Sequence, residues 1–469
     1  MDERRRQLVW ESLAVVAVAV VGWIWYCTLA SHVDARILQG RADAYSIAVV
    51  EQVIFTYVDT GRWAQTIHTT YTDAWTWSEH RPVWIFPSAW LYALDPGPTR
   101  LGHIQLAVCA LGGLFAYGLG RCVVGGIAGG LAAALVWYGS PSLAVVSTNV
   151  FQELVMGMPW LILAAWGLRA KRLGLFALGG VLCLAAREEW IPAVALLGLG
   201  QPGGWRPKFK ATLASVAVAV AYVVGLSVLD GPLPKSNPML VLGQAMAGKL
   251  EWQRSQEQID SFYLPFLSPY VLALVAPLSA LPGIAALAFQ VFTPKWQTGV
   301  DAAWRDHIHH FAPVVAFFSL ATIDALGGVV RLVRRFWEPR AWPAPWAALA
   351  ICGLGVGAAW PSWRHLEGLA VATQVMIPRA LPEWELVDNV VPKDASVATD
   401  AQGSLFIARH VKAYTYDESF RDKLTGDRLA QVDWILLNRS DTAFQAQLLA
   451  FPEIEEMGST PKYILYRLR

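Results

Sequence analysis

Apolar stretches long enough to cross a bilayer recur along most of this chain, separated by short basic clusters. A helix needs about 20 residues to traverse the hydrocarbon core, and lipid leaves no other way to satisfy the backbone short of a closed barrel. The runs fall at residues 13–30, 101–120, 123–138, 150–168, 173–186 with 190–200, 211–229, 270–292, 311–330 and 346–360. Only 16% of the 469 residues are charged, against roughly 25% in an ordinary soluble domain. The 23 Trp suit a protein with two membrane–water interfaces. Net charge is +1, so nothing points to nucleic acid as a partner. The five cysteines, Cys27, Cys109, Cys122, Cys183 and Cys352, lie in apolar surroundings without a CxxC pattern and read as small buried hydrophobes.

Basic residues set the expected topology, because Lys and Arg accumulate on the cytoplasmic side. Arg4-Arg5-Arg6 precedes the first run, which reads as an uncleaved anchor with a cytoplasmic N-terminus in the inner membrane. Further clusters stand at 169–172, 206–210 and 331–335. Placing all of them inside imposes parity. Segment 82–94 becomes re-entrant or interfacial, and 173–200 becomes a hairpin tipped by Arg187-Glu188-Glu189. Segment 270–292 enters and leaves on one side, broken at Pro277 and Pro282. The expected fold is a polytopic α-helical membrane protein of about nine to twelve spans or re-entrant helices. A helical domain over 1–361 is followed by a small extracytoplasmic α/β domain over 362–469. Strands are expected there at 396–399, 434–437 and 463–468, and helices near 418–424 and 443–450.

With that topology, the ionisable residues between spans converge on the outer side: Asp43, Glu51, Asp73, Glu79 and His80, then Glu153, then Arg187, Glu188 and Glu189, then Asp306, His307, His309 and His310. Charges kept near membrane depth are expensive and so become functional candidates. Each also has an ordinary alternative. Arg187 with Glu188 and Glu189 would close a hairpin tip as an internal ion pair. His80, before Arg81-Pro82, would cap a helix start. His307 and His310 share a helix face at i, i+3, but no HExxH-type carboxylate motif accompanies them, which argues against a metal. Segment 44–57 is apolar with Glu51 on one face, as in a helix lying in the interface. Its acid would serve as a general base, hold a divalent cation against a phosphate, or simply face solvent.

Several short segments together resemble a known family. They are Tyr45-Ser46-Ile47-Ala48-Val49-Val50-Glu51-Gln52, Glu79-His80-Arg81-Pro82, Phe151-Gln152-Glu153, Arg187-Glu188-Glu189, His309-His310-Phe311-Ala312-Pro313 and Val391-Pro392-Lys393-Asp394-Ala395-Ser396-Val397. Their order is similar to that of a large bacterial family of predicted membrane proteins of unknown function, within the GT-C glycosyltransferase superfamily. The resemblance implies a GT-C-like fold and a polyprenyl-phosphate-linked sugar donor. It also implies an acid in the first loop, Asp43 or Glu51, acting on the acceptor. His80, Arg81, Arg187 and His310 would hold the donor phosphate, supported by Glu153, Glu188, Glu189 and His307. One departure stands out. Where the family has an aromatic-Asp-Leu-Gly segment, this chain has Tyr45-Ser46-Ile47-Ala48, so one carboxylate is replaced by Ser46. A degenerate scaffold or accessory subunit beside other membrane subunits therefore competes with the transferase reading, and a lipid or solute transporter is a third possibility.

Overall fold

The computed structural model describes residues 3–39, 44–63, 66–67, 82–149, 151–230, 267–292, 308–336, 349–350, 353, 380–400, 402–415, 432–450 and 453–468. The expected last span at 346–360 and the helix near 418–424 fall almost wholly outside these residues. The chain divides into two compact units. One comprises Met1–Ala30, Ser78–Trp84 and Gln105–Val375; the other comprises Ser31–Trp77, Ile85–Ile104 and Met376–Arg469.

The first unit is helical. Among the described residues, four segments are long and apolar enough to cross a membrane: Glu3–Leu38, Arg100–Tyr138, Trp205–Leu229 and Ala312–Val333. The first belongs to helix α1 (Glu3–Leu38), whose Leu13, Val16, Val20, Trp23 and Ile24 are exposed. Apolar side chains left open along a span are ordinary where the solvent is lipid. Arg100–Tyr138 is not one straight rod. Helix α4 (Arg100–Gly120) runs into a π-turn (Arg121–Gly125), and α5 (Gly126–Tyr138) leaves it after Gly125 and Gly126 take positive φ of 107° and 65°. A β-carbon on Gly112 would strike the Trp137 ring, and one on Gly113 the Tyr138 ring. Trp137 Nε1 also donates to the Cys109 carbonyl at 3.0 Å. The two arms thus fold back on each other as separate helices, as the separate apolar runs suggested.

A short helix, α6 (Pro141–Thr148), occupies what reads in sequence as a plain turn. Ser140 caps it by accepting from Leu143 N at 3.2 Å, with Pro141 in the first turn. Helices α7 (Glu153–Arg169) and α8 (Leu173–Leu184) form a tight hairpin through Lys171, the one non-Gly residue with positive φ among those described. Next come α9 (Trp190–Leu196), α10 (Trp205–Asp230), a 3-10 segment (Ser268–Val275), α11 (Pro277–Phe292) and α12 (Ala312–Phe336). The break expected near Pro277 is present, with Ala276 non-helical ahead of it. Pro282 departs from expectation: it lies within α11 and does not end it.

Asp324, apolar-flanked on α12, has a partner. Arg169 Nη2 lies 2.9 Å from its Oδ2, and Ser279 Oγ on α11 donates to the same oxygen at 2.6 Å. Arg169 also reaches Gln201 Oε1 at 3.4 Å. The Arg169 side chain is 1% exposed, so removing its anion strands a buried guanidinium. Asp324→Asn is expected to destabilise this unit by about 3–5 kcal/mol, whereas joint replacement of Arg169 by Met and Asp324 by Leu is expected to be tolerated. Thermal unfolding in detergent separates the two.

The second unit contains α2 (Ala44–Thr60), α3 (Ile85–Ala93), α13 (Pro382–Val390), α14 (Ser404–Ile407), α15 (Thr442–Leu449) and one five-stranded sheet. Strands β1 (Ser396–Thr399), β2 (Lys412–Thr415), β3 (Trp434–Asn438), β4 (Ile454–Ser459) and β5 (Tyr463–Leu468) are ordered β2-β1-β3-β5-β4. The β1–β2 and β1–β3 pairs are parallel; β3–β5 and β4–β5 are antiparallel. Ala398, Ile435, Leu437, Phe444, Leu448, Ile464 and Tyr466 form its core. Strand β1 is buried throughout, as central parallel strands are. At the far end of α1, the Leu38 carbonyl accepts from Leu381 N at 3.1 Å, tying that helix to the segment entering α13.

Candidate functional site

Helix α2 carries the first candidate. Residues 51–54 are all buried, so this stretch turns no solvated face. Glu51 is wholly enclosed, and its Oε1 accepts from the Tyr92 hydroxyl of α3 at 3.0 Å. Its Oε2 has no partner among the described residues. Burial, partly offset by Arg409 and by the Tyr92 hydrogen bond, pushes the Glu51 carboxyl up to about 7. Burial first, then the neighbouring carboxylate, pushes the Tyr92 phenol far up, so it remains a donor. The nearest further charges are Arg409, Asp388 and Lys393. They are mutually engaged: Asp388 accepts from Arg409 at 2.6 Å and from Lys393 at 2.7 Å. Glu51 thus has one hydrogen-bonded oxygen and one enclosed oxygen with no hydrogen-bond partner among the described residues.

Gln52, the next residue, fastens α2. Its Oε1 accepts from Thr66 N at 2.9 Å and Ile67 N at 3.1 Å. Its Nε2 donates to Thr66 Oγ1 at 3.0 Å and to the His410 carbonyl at 3.2 Å. The Thr66 hydroxyl donates in turn to the Ala413 carbonyl of β2, and Thr415 Oγ1 donates to the Ile67 carbonyl at 2.9 Å. One amide therefore joins α2, a loop and the sheet edge. Gln52→Ala would leave two buried N–H donors without acceptors and is expected to destabilise the unit by about 2–4 kcal/mol. Gln52→Glu, which retains only the acceptor side, is expected to lose less; thermal unfolding of both variants ranks them.

His410 beside it is buried and neutral, its imidazole held down to about 4 chiefly by burial. A depressed histidine supports folding above its free value of 6.5, and that support is lost as pH falls through about 4. Glu51 has the opposite sign: its contribution is complete below 4.5 and lost as pH rises through about 7. Unfolding midpoints across pH 4 to 8 are therefore expected to fall off on both sides, with His410→Asn flattening the acid flank and Glu51→Gln the neutral one.

In the helical unit, the 185–189 turn presents Arg187, Glu188 and Glu189, and the 3-10 turn Ile308–Phe311 presents His310. Glu189 lies between Arg187 and His310, with Oε1 3.6 Å from Arg187 Nη2 and Oε2 3.7 Å from His310 Nδ1. Both separations exceed hydrogen-bond length, and all three side chains are nearly enclosed. Glu153 opens α7 and is buried there, where the helix dipole favours an anion. Gln105 fixes that start: its Nε2 donates to the carbonyls of Ser147 at 2.9 Å and Asn149 at 3.1 Å, and its Oε1 accepts from Gln152 N at 2.7 Å. The hairpin tip is steadied by Trp84, whose N–H groups donate to the Ala185 carbonyl at 3.1 Å and the Leu182 carbonyl at 2.8 Å.

Arg187, Glu189 and His310 are thus brought together, while Glu51 has its own neighbourhood with Tyr92. Asp43, His80, Arg81 and His307 lie outside the described residues. Among those described, no three His, Cys, Asp or Glu side chains are grouped to hold a metal ion. Around Glu51 the structure adds Tyr92, Gln52 and Arg409, and at the start of α7 it adds Gln105; the sequence alone singles out none of them. Gln52 and Gln105 carry a signal, a polar amide inside an apolar run; Tyr92 and Arg409 are recognised only through their long-range partners.

The helical body with its appended sheet has the architecture of GT-C glycosyltransferases. ArnT from Cupriavidus metallidurans bound to undecaprenyl phosphate superposes with a TM-score of 0.59 at 12% identity, over 97% of both chains. Its apo form gives 0.56 at 14% identity over 98% of both. The archaeal oligosaccharyltransferase AglB from Archaeoglobus fulgidus, in complex with an inhibitory peptide and a dolichol-phosphate, gives 0.50 at 11% identity over 92% of this chain and 69% of that one. At such identities the likeness is one of fold. Residues 41–464 match the family described as Predicted membrane protein (DUF2079), and the chain belongs to that family. No curated protein matches it in sequence.

Proposed function

We propose that this protein is a glycosyltransferase of the inner membrane, taking a sugar from a polyprenyl-phosphate donor at the outer face and passing it to a lipid, glycan or protein acceptor. The observation that supports this best is the superposition over nearly the whole of both chains on ArnT bound to undecaprenyl phosphate. The basic turn at Arg169–Arg172, with the clusters at 206–210 and 331–335, would face the cytoplasm. The Arg187 tip, the His310 turn and the C-terminal sheet would then lie outside, the sheet helping to recognise the acceptor.

The chemistry is a displacement at the anomeric carbon. The acceptor hydroxyl gives its proton to the first-loop acid, Glu51 or Asp43, as its oxygen bonds to the sugar. The bond from that carbon to the donor phosphate breaks, and polyprenyl phosphate departs. Arg187 and His310, with His80 and Arg81, would stabilise the phosphate charge that develops, and Glu189 would hold the first two in place beforehand. A divalent cation at the first-loop acid would serve the same end. Glu51→Gln or Asp43→Asn is expected to abolish consumption of undecaprenyl-phosphate-linked sugar in membranes at unchanged protein level. Arg187→Ala is expected to slow it by about 10²- to 10³-fold.

Ser46 in place of the family's acid favours a second reading, in which the fold persists as a scaffold or accessory subunit. A wild type that consumes no donor and co-purifies stoichiometrically with other membrane subunits would establish that alternative. Counterflow of a labelled solute or lipid in proteoliposomes would instead indicate a transporter.

A further inference from the structure

Every carboxylate oxygen enclosed in a protein needs a donor, and one left without is a marker of function, bound water or a ligand. Glu51 is asymmetric in this respect. Oε1 is taken by the Tyr92 hydroxyl at 3.0 Å, and Oε2 is buried with no partner among the described residues. Both side chains are fully enclosed. Tyr92 belongs to α3, the nine-residue helix that is too short to span a membrane. Its phenol is therefore supplied to α2 from a separate segment.

We propose that Tyr92 is a positioning residue for Glu51, holding Oε1 so that Oε2 is the atom that accepts the acceptor's proton. This rests on the transferase reading with Glu51 as base. A carboxylate free to rotate would present either oxygen, and in either of two lone-pair directions. One fixed hydrogen bond removes that freedom and leaves a single receiving atom in place before substrate arrives. The charged groups around the pair are Arg409, Asp388 and Lys393. The two cations are engaged with Asp388, so Tyr92 is the only described side chain that hydrogen-bonds Glu51. Because its donation favours the ionised carboxylate, Tyr92 also sets the pH at which the base becomes available.

The test uses the full chain in detergent and in membranes. Infrared titration follows the protonated-carboxyl band, which Glu51→Gln assigns by deleting it. Tyr92→Phe keeps the ring and removes the donor. It is expected to raise the Glu51 midpoint by about one pH unit, and the acid limb of the rate against pH with it. At pH 7 the rate of consumption of undecaprenyl-phosphate-linked sugar would fall about fivefold, with KM for the donor unchanged. A ring-fluorinated tyrosine at position 92, a stronger donor of the same shape, is expected to move both midpoints downward. It keeps the question answerable should the phenylalanine variant fold poorly. A purely structural hydrogen bond would alter thermal stability and leave the acid limb where it was; that result overturns the proposal. A wild type that consumes donor while Glu51→Gln does so equally well overturns the base assignment and Tyr92's role together. A wild type that consumes none overturns the transferase reading itself.

Discussion

Desolvation decides where every ionisable side chain in this protein can reside. Lipid and close-packed protein solvate charge equally poorly, so an ionised group is retained inside only with a counter-charge or a hydrogen-bond donor. Arg169 keeps Asp324, and Glu189 lies between Arg187 and His310. Among the described residues the Glu51 carboxyl is hydrogen-bonded by a neutral phenol alone, and burial, partly offset by Arg409, pushes it up to about 7. The three clusters share one rule and differ in how completely it is met. Arg169 and Asp324 meet it with a close ion pair, whereas Glu51 meets it by taking up a proton.

The helical body was legible because hydrocarbon enforces a length and a composition on each span, both visible in a single sequence. Even the α4–α5 hairpin can be found from two apolar runs around the Arg121–Gly126 turn. Position in sequence also singles out Arg187, Glu189 and His310, charges flanked by apolar arms, and the structure brings the three together. Three things were hidden. Helix α6 is too short for periodicity to register, β2 and β4 are short and only partly apolar, and α11 tolerates Pro282 where an isolated helix would break.

The first-loop helix shows most clearly why the remainder could not be read. Segment 44–57 has the composition of an interfacial helix with Glu51 outward, and in the structure residues 51–54 are buried. What covers them comes from distant parts of the chain: Tyr92 from α3, and the His410 carbonyl from the turn before β2. Local pattern reports a helix and its faces. It does not report which face a later segment will claim, and Glu51 sits on the face that is claimed.

That dependence on later segments has a consequence for biogenesis. Gln52 donates to a carbonyl 358 residues further along the chain. At roughly 5–20 residues per second, about 20 to 70 s separate the synthesis of the two partners. Throughout that interval α2 has left the ribosome, carrying a glutamine and a glutamate whose final enclosure does not yet exist. It must wait at the membrane surface in some other arrangement while the intervening spans insert. The amide beside that acid is therefore among the last groups to find its partners, and a protein stalled or clipped before its C-terminal strands would lack the link that fastens α2 to β2.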